Sequence, residues 1–220
     1  DRVLTTYMAE GCAFSLAPDG SIASARQDAY THAFVLFALA AAYKLAPEPR
    51  YLAAADALSG YLWTRLGDEA GGVHSCDATR GAGKAQNPHM HLLEAYLALY
   101  EASGAERYLE RARVIARLFA EKMFRADCDA LPETFAPDWS PAPGRAAFEP
   151  GHHFEWIWLL AKYDAASGED HGDYRARLWR TALRCGRDAR GLCFDEVALH
   201  DLAPVRSTRL WPHCEGVKAA

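Results

Sequence analysis

The chain has 220 residues, half of them hydrophobic and 24% charged, with a formal net charge of −5. That is the balance of a soluble globular protein, long enough for one large domain or two small ones. The acidic balance and the lack of any Lys/Arg run argue against nucleic acid as a partner, and apolar stretches such as AFVLFALAAAY (33–43) are too short to span a bilayer.

Periodicity of 3.6 residues, rich in Ala, Leu, Glu and Arg, predicts helices near 2–13, 27–45, 48–66, 87–103, 105–124, 151–167, 170–187 and 211–220. Short breaks join them in pairs: LAPEP (45–49), ASGA (102–105) and ASGEDHG (166–172), each with helix-stop or helix-start residues. Short links make antiparallel helix hairpins. Longer loops at 67–86, 125–150 and 188–210 separate the pairs, with a short strand expected within GLCFDEVAL (191–199). Loops of that length in a compact domain usually carry function. The opening DRVLTTYMAE has neither a basic nor an apolar leader region, so no secretory signal is expected. Cys12, Cys76, Cys128, Cys185, Cys193 and Cys214 form no CxxC pair and are expected as reduced, cytoplasmic thiols.

A repeat runs through the pairs. His32, His91, His152 and Trp211 follow one another at intervals of about sixty residues, each near the start of the first helix of a hairpin. A curved array of such pairs aims those starts at a common centre, the arrangement of an α/α toroid. An open α-solenoid binding a peptide on its concave face is the alternative; long loops of unequal length favour the closed pocket.

The helix starts carry unusual chemistry. The stretch EPGHHFEWIWLL (149–160) is apolar enough for burial yet opens with two histidines and a glutamate. Buried polar groups need partners, or they cost roughly 2–7 kcal/mol. Asn87-Pro88-His89-Met90-His91 and Trp211-Pro212-His213 resemble it, each with Pro in a first helical turn. Asn87 suits an N-cap as well as a ligand role. A helix N-terminus disfavours imidazolium, so His91 and His152 are expected to be neutral near pH 7 and able to act as bases. Asn87, His91 and Glu94 share a helix face, as do His152, Glu155 and Trp156, and a carboxylate three residues on can orient each ring. His89 and His153 point elsewhere and are expected to be structural.

No metal is expected, because neighbouring or i,i+2 histidines diverge on a helix and neither HExxH nor a Cys/His zinc spacing occurs. GxSxG is also absent. Trp139, Trp156 and Trp211 lie at loops or helix starts, where flat apolar faces beside hydrogen-bonding groups suit a sugar ring.

Several stretches together resemble the N-acylglucosamine 2-epimerase family, especially its mannose isomerase and mannose-6-phosphate isomerase-like branch. They are QDAYTHAFVLFALAAAY (27–43), QNPHMHLLEAYLALYEASG (86–104), LPETFAPDW (131–139), PGHHFEWIWLL (150–160) and RLWPHCEGVKA (209–219). The resemblance implies an all-α barrel of six helix pairs and aldose chemistry without metal or cofactor. It places the acid/base histidine of a GHxxE motif at His152 with Glu155 as partner, and the sugar-site residues at Asn87, His91, Trp211 and Glu215, with Tyr30 as a pocket tyrosine; Glu94, on the helix face of Asn87 and His91, is expected to bind substrate beside them. His213-Cys214 replaces the Gln-Thr common in relatives. The family's second catalytic histidine lies in a C-terminal hairpin, and its substrate-binding arginine in an N-terminal one.

At about sixty residues per hairpin, residues 1–220 are expected to form a single catalytic domain of three to four hairpins, an incomplete ring lacking the terminal ones. Its exposed edges open a route to homo-oligomers. The expected function is a cytoplasmic sugar isomerase or epimerase: mannose–fructose isomerisation or inversion at C2 through an enediolate. Two alternatives remain, a glycoside hydrolase or lyase using Glu94 and Glu155, and a non-catalytic carbohydrate- or protein-binding fragment.

Overall fold

The structure, a computed structural model, describes residues 8, 11–79, 81–142, 144 and 146–220. Two compact units divide the chain: residues up to Ala82 with Pro88–Ile115, and Gly83–Asn87 with Ala116–Ala220.

In the first unit a two-stranded ribbon, β1 (Ser15–Leu16) and β2 (Ile22–Ser24), precedes the hairpin α1 (Ala29–Leu45) and α2 (Pro49–Leu66). Asp28 caps α1 by accepting the N–H of Thr31 at 2.9 Å, and Pro stands in the first turn of α2, where its missing N–H costs nothing. Two further helices follow, α3 (Gln86–Ser103) and α4 (Glu106–Leu118). The fully buried Tyr96 keeps its hydroxyl satisfied by Ser59 Oγ and Trp63 Nε1, both at 2.8 Å.

In the second unit β3 (Lys84–Ala85) pairs with β4 (Thr134–Phe135), and β5 (Ala147–Phe148), β6 (Glu196–Ala198) and β7 (Pro204–Val205) form an antiparallel sheet. Helix α5 (Pro150–Ser167) packs against both α6 (Gly172–Cys185) and α7 (Trp211–Ala219). It is buried on all sides from Pro150 to Ile157, as expected of a helix whose apolar residues do not confine themselves to one stripe. It ends at Gly168, whose φ of 76° is the left-handed conformation that favours glycine. A π-helical turn, Phe119–Met123, closes α4 and sets Phe119 against Trp156, ring centroids 4.6 Å apart.

The expected helices from 27 onward are present, with three differences. Most of the stretch 2–13 lies outside the described residues, and 11–13 is not helical. The helix expected over 105–124 changes to π geometry for its last turn. The strand expected within 191–199 is limited to β6, because Asp188 accepts the N–H groups of Arg190 and Leu192 and holds the preceding backbone in a turn.

The repeat has a physical basis that the sequence markers miss by one or two positions. His32, His89, His153 and His213 each use Nε2 to accept a backbone N–H from the preceding loop: Cys12 (3.3 Å), Val73 (2.9 Å), Leu131 (3.0 Å) and Cys193 (3.1 Å). In His32 and His213 the other nitrogen donates to a carbonyl four residues back, which fixes the tautomer. These histidines are staples between loop and helix, and the sequence markers His91, His152 and Trp211 are not among them.

Candidate active site

Three helix starts meet in the second unit. Pro150 begins α5 and places His152 in its first turn, 6% exposed. Trp211 begins α7, its ring 5.0 Å from the His152 ring and tilted by 41°. The first turn of α3 brings in Gln86 and Asn87. Because α3 begins at Gln86, Asn87 stands within the first turn and not at the cap.

The two nitrogens of His152 have different surroundings. Nδ1 lies 2.9 Å from Glu133 Oε2, and Nε2 lies 3.2 Å from Asn87 Nδ2. Glu133 is held in turn: its Oε1 accepts the Glu149 N–H at 3.0 Å, and its Oε2 accepts from Gln86 Nε2 at 2.9 Å. Gln86 Oε1 accepts from Trp156 Nε1 at 2.7 Å. On the outer side, Arg209 bridges Glu149 (2.7 Å) and Asp195 (2.8 Å), with its guanidinium over the Trp211 ring.

Burial disfavours a charged imidazole at 152, but the carboxylates of Glu133, Glu149 and Glu155 more than reverse this, and the His152 pKa lies above the ordinary histidine value. The helix dipole alone would lower this pKa; nearby full charges outweigh the partial charge of a helix end. Burial also pushes the Glu133 carboxyl upward, yet the His152 ring and the hydrogen bonds from His152, Gln86 and the Glu149 N–H hold it below the usual carboxylate value.

The expected partner of His152 is also corrected. Glu133, from the loop before α5, makes the hydrogen bond to Nδ1, and Glu155 adds its charge to the surroundings of the ring. Periodicity could not find Glu133, since it lies on no helix; its signal was its place in LPETFAPDW (131–139), one of the stretches that carry the family resemblance. Glu215, on α7, pairs with Lys218 at 2.7 Å.

The remaining expected residues lie in the first unit. There His91 Nδ1 meets Glu94 Oε2 at 3.2 Å, the i,i+3 pair anticipated from spacing. Tyr30 presents its ring edge-on to His91 at 4.9 Å, and Phe34 flanks it at 4.8 Å.

Glu133, Glu149 and His152 offer ligand atoms within 4.8 Å of one another. Each already engages a protein donor or acceptor, so a cation would have to displace Arg209 and the His152–Glu133 hydrogen bond.

The sequence matches a family model, N-acylglucosamine 2-epimerase (GlcNAc 2-epimerase), over residues 3–220. The chain belongs to the N-acylglucosamine 2-epimerase family. Among curated relatives, this family member is 35% identical to a mannose-6-phosphate isomerase of Rhizobium meliloti (strain 1021), covering 92% of this chain and 54% of that protein. It is 32% identical to a D-mannose isomerase of Thermobifida fusca, covering 96% and 57%. The chain thus spans about half the length of the curated relatives it matches. A solved cellobiose 2-epimerase from Bacillus thermoamylovorans B4167 superposes with a TM-score of 0.85 at 22% identity, covering 97% of this chain and 60% of that one. The fold of this family member is accordingly all-α, of the α/α-toroid type. Among its described residues no helix is long and apolar enough to cross a membrane.

Proposed function

We propose that the protein is a sugar isomerase or 2-epimerase acting on an aldose such as mannose, with His152 as the acid/base group. The observation that carries this reading is the buried His152 ring, which has Nδ1 engaged by protein and Nε2 turned toward the Asn87 amide beside the Trp211 face. Such a ring can take a proton from C2 of an open-chain aldose. The enediolate left behind requires hydrogen-bond donors in a water-poor pocket, each worth about 3–4 kcal/mol to the transition state. Asn87 Nδ2 is one such donor. Returning the proton to C1 gives a ketose, and returning it to the other face of C2 gives an epimer. Trp211 supplies an apolar wall for the CH face of the sugar.

Glu155 adds negative charge near His152. Glu215 is assigned to substrate binding by the family resemblance, as are His91 and Tyr30 in the first unit; Glu94 joins them through its pairing with His91. The reaction is proposed to need no metal, since proton transfer by an imidazole requires none and the Glu133 and Glu149 carboxylates beside His152 have protein partners. Six free thiols are consistent with a reducing, cytoplasmic location. The test is incubation with mannose in heavy water, followed by NMR. Deuterium at C2 together with fructose or glucose supports the reading, and unlabelled mannose alone overturns it.

A further inference from the structure

We infer that Glu133 is a positioning residue which, locked by Gln86 and Trp156, holds His152 in the Nδ1–H tautomer and so presents the Nε2 lone pair to substrate. The inference rests on the reading of His152 as the base.

The hydrogen-bond donors and acceptors around an ionised Glu133 favour one assignment. Trp156 Nε1–H can only donate, so the Gln86 atom 2.7 Å away must be its oxygen. The Gln86 amide nitrogen then points at Glu133 Oε2, 2.9 Å away. It also lies 2.9 Å from His152 Nδ1; both nitrogens then direct a proton to the same Glu133 oxygen, and no hydrogen bond runs between them. A carboxylate can only accept, so Glu133 Oε2, 2.9 Å from that same Nδ1, requires the ring proton there. The other carboxylate oxygen is tied to the Glu149 backbone N–H, which prevents Glu133 from rotating away. With Nδ1 protonated, Nε2 is the free base, and the Asn87 amide at 3.2 Å can donate to it. In this assignment Trp156 donates to Gln86, and both Gln86 and His152 donate to Glu133. A rigid carboxylate behind an imidazole also stabilises the imidazolium that forms when the ring takes a proton.

The charged groups facing this ring are Glu133 from the loop before α5, Glu149 and Glu155 from the start of α5, and Arg209 through its bond to Glu149. Of these, Glu133 combines charge with a hydrogen bond to Nδ1 and opposes burial most strongly. Its replacement should therefore lower the pKa of the ring.

The test is nitrogen NMR of the histidine rings in the full chain, wild type and Glu133→Gln, beside the pH dependence of kcat/KM. In the wild type the neutral His152 ring should carry its proton on Nδ1. In Glu133→Gln the His152 pKa should fall by about 1–3 pH units, and the acid limb of kcat/KM should move down by the same amount. kcat should fall about 10- to 100-fold, short of the roughly 10²–10⁴ that a general base itself supplies. A neutral wild-type ring protonated on Nε2 overturns the inference with no variant needed. So does a Glu133→Gln protein that loses rate with its acid limb unmoved, because a structural defect would do the same. Trp156→Phe, which frees the Gln86 amide to flip, should show a smaller shift in the same direction; if Glu133→Gln does not fold, an unmoved pKa in Trp156→Phe counts against the chain. The ring measurements do not depend on turnover, so an inactive protein with the expected tautomer would contradict the sugar reading and leave the geometry of the chain intact.

Discussion

Gly151 and Trp211 approach so closely that no side chain fits between them. A Cβ at position 151 would lie 2.5 Å from two ring carbons of Trp211 and 2.9 Å from Pro212 Cβ. Glycine thus lets the start of α7 close on the start of α5, one residue before His152. Gly151→Ala must push the indole away from the His152 ring. We expect a loss of about 1–3 kcal/mol in stability from overpacking and a loss of activity larger than the melting shift explains. Tryptophan fluorescence and KM report the displaced wall, and unchanged kinetics would show that Trp211 does not touch substrate.

The working pH follows from the charges around His152. Its pKa is raised, so the ring becomes a neutral base only above the ordinary histidine value, and kcat/KM should climb with an acid limb above about 6.5. A pH profile checks this, and full activity maintained down to pH 6 would contradict it.

The staple histidines predict acid sensitivity of the opposite sign. His153 is fully buried, and burial pushes its pKa down to about 4. The unfolded chain takes up this proton below about pH 6.5 and the folded one does not, so stability is intact above that value and declines toward pH 4. The full difference is on the order of 3 kcal/mol. His32, buried and lowered in the same way, adds to it. Melting curves between pH 7 and 4 measure the loss. His153→Gln, whose side-chain oxygen can still accept the Leu131 N–H, should flatten it.

Metal removal separates two chemistries at one cluster. If Glu133, Glu149 and His152 keep their protein partners in the working enzyme, exhaustive dialysis against a chelator should leave turnover unchanged. Loss of activity that a divalent ion restores would place a cation there.

The helices were legible because their periodicity is local, and the first turns at 150 and 211 because proline marks them. The i,i+3 pair of His91 and Glu94 was legible for the same reason. Glu133 was not: it reaches His152 from a loop, and no spacing rule connects position 133 to 152. Spacing offered Glu155 instead, a residue on the same helix. Adjacent residues were equally hard to rank. His152 and His153 differ by one turn angle of the helix, which sends one ring to the site and the other to the Leu131 backbone. Only the packed partners distinguish them. The carboxylate that spacing did not foresee is also the one that does most to raise the His152 pKa.

The central claim is that the imidazole at 152 moves the proton. The most direct measurement is deuterium exchange at C2 of mannose in heavy water, comparing wild type with His152→Ala at matched folding by circular dichroism and melting temperature. We predict a folded variant in which exchange falls by at least about 10²-fold. A folded His152→Ala protein that still exchanges at the wild-type rate would contradict the account.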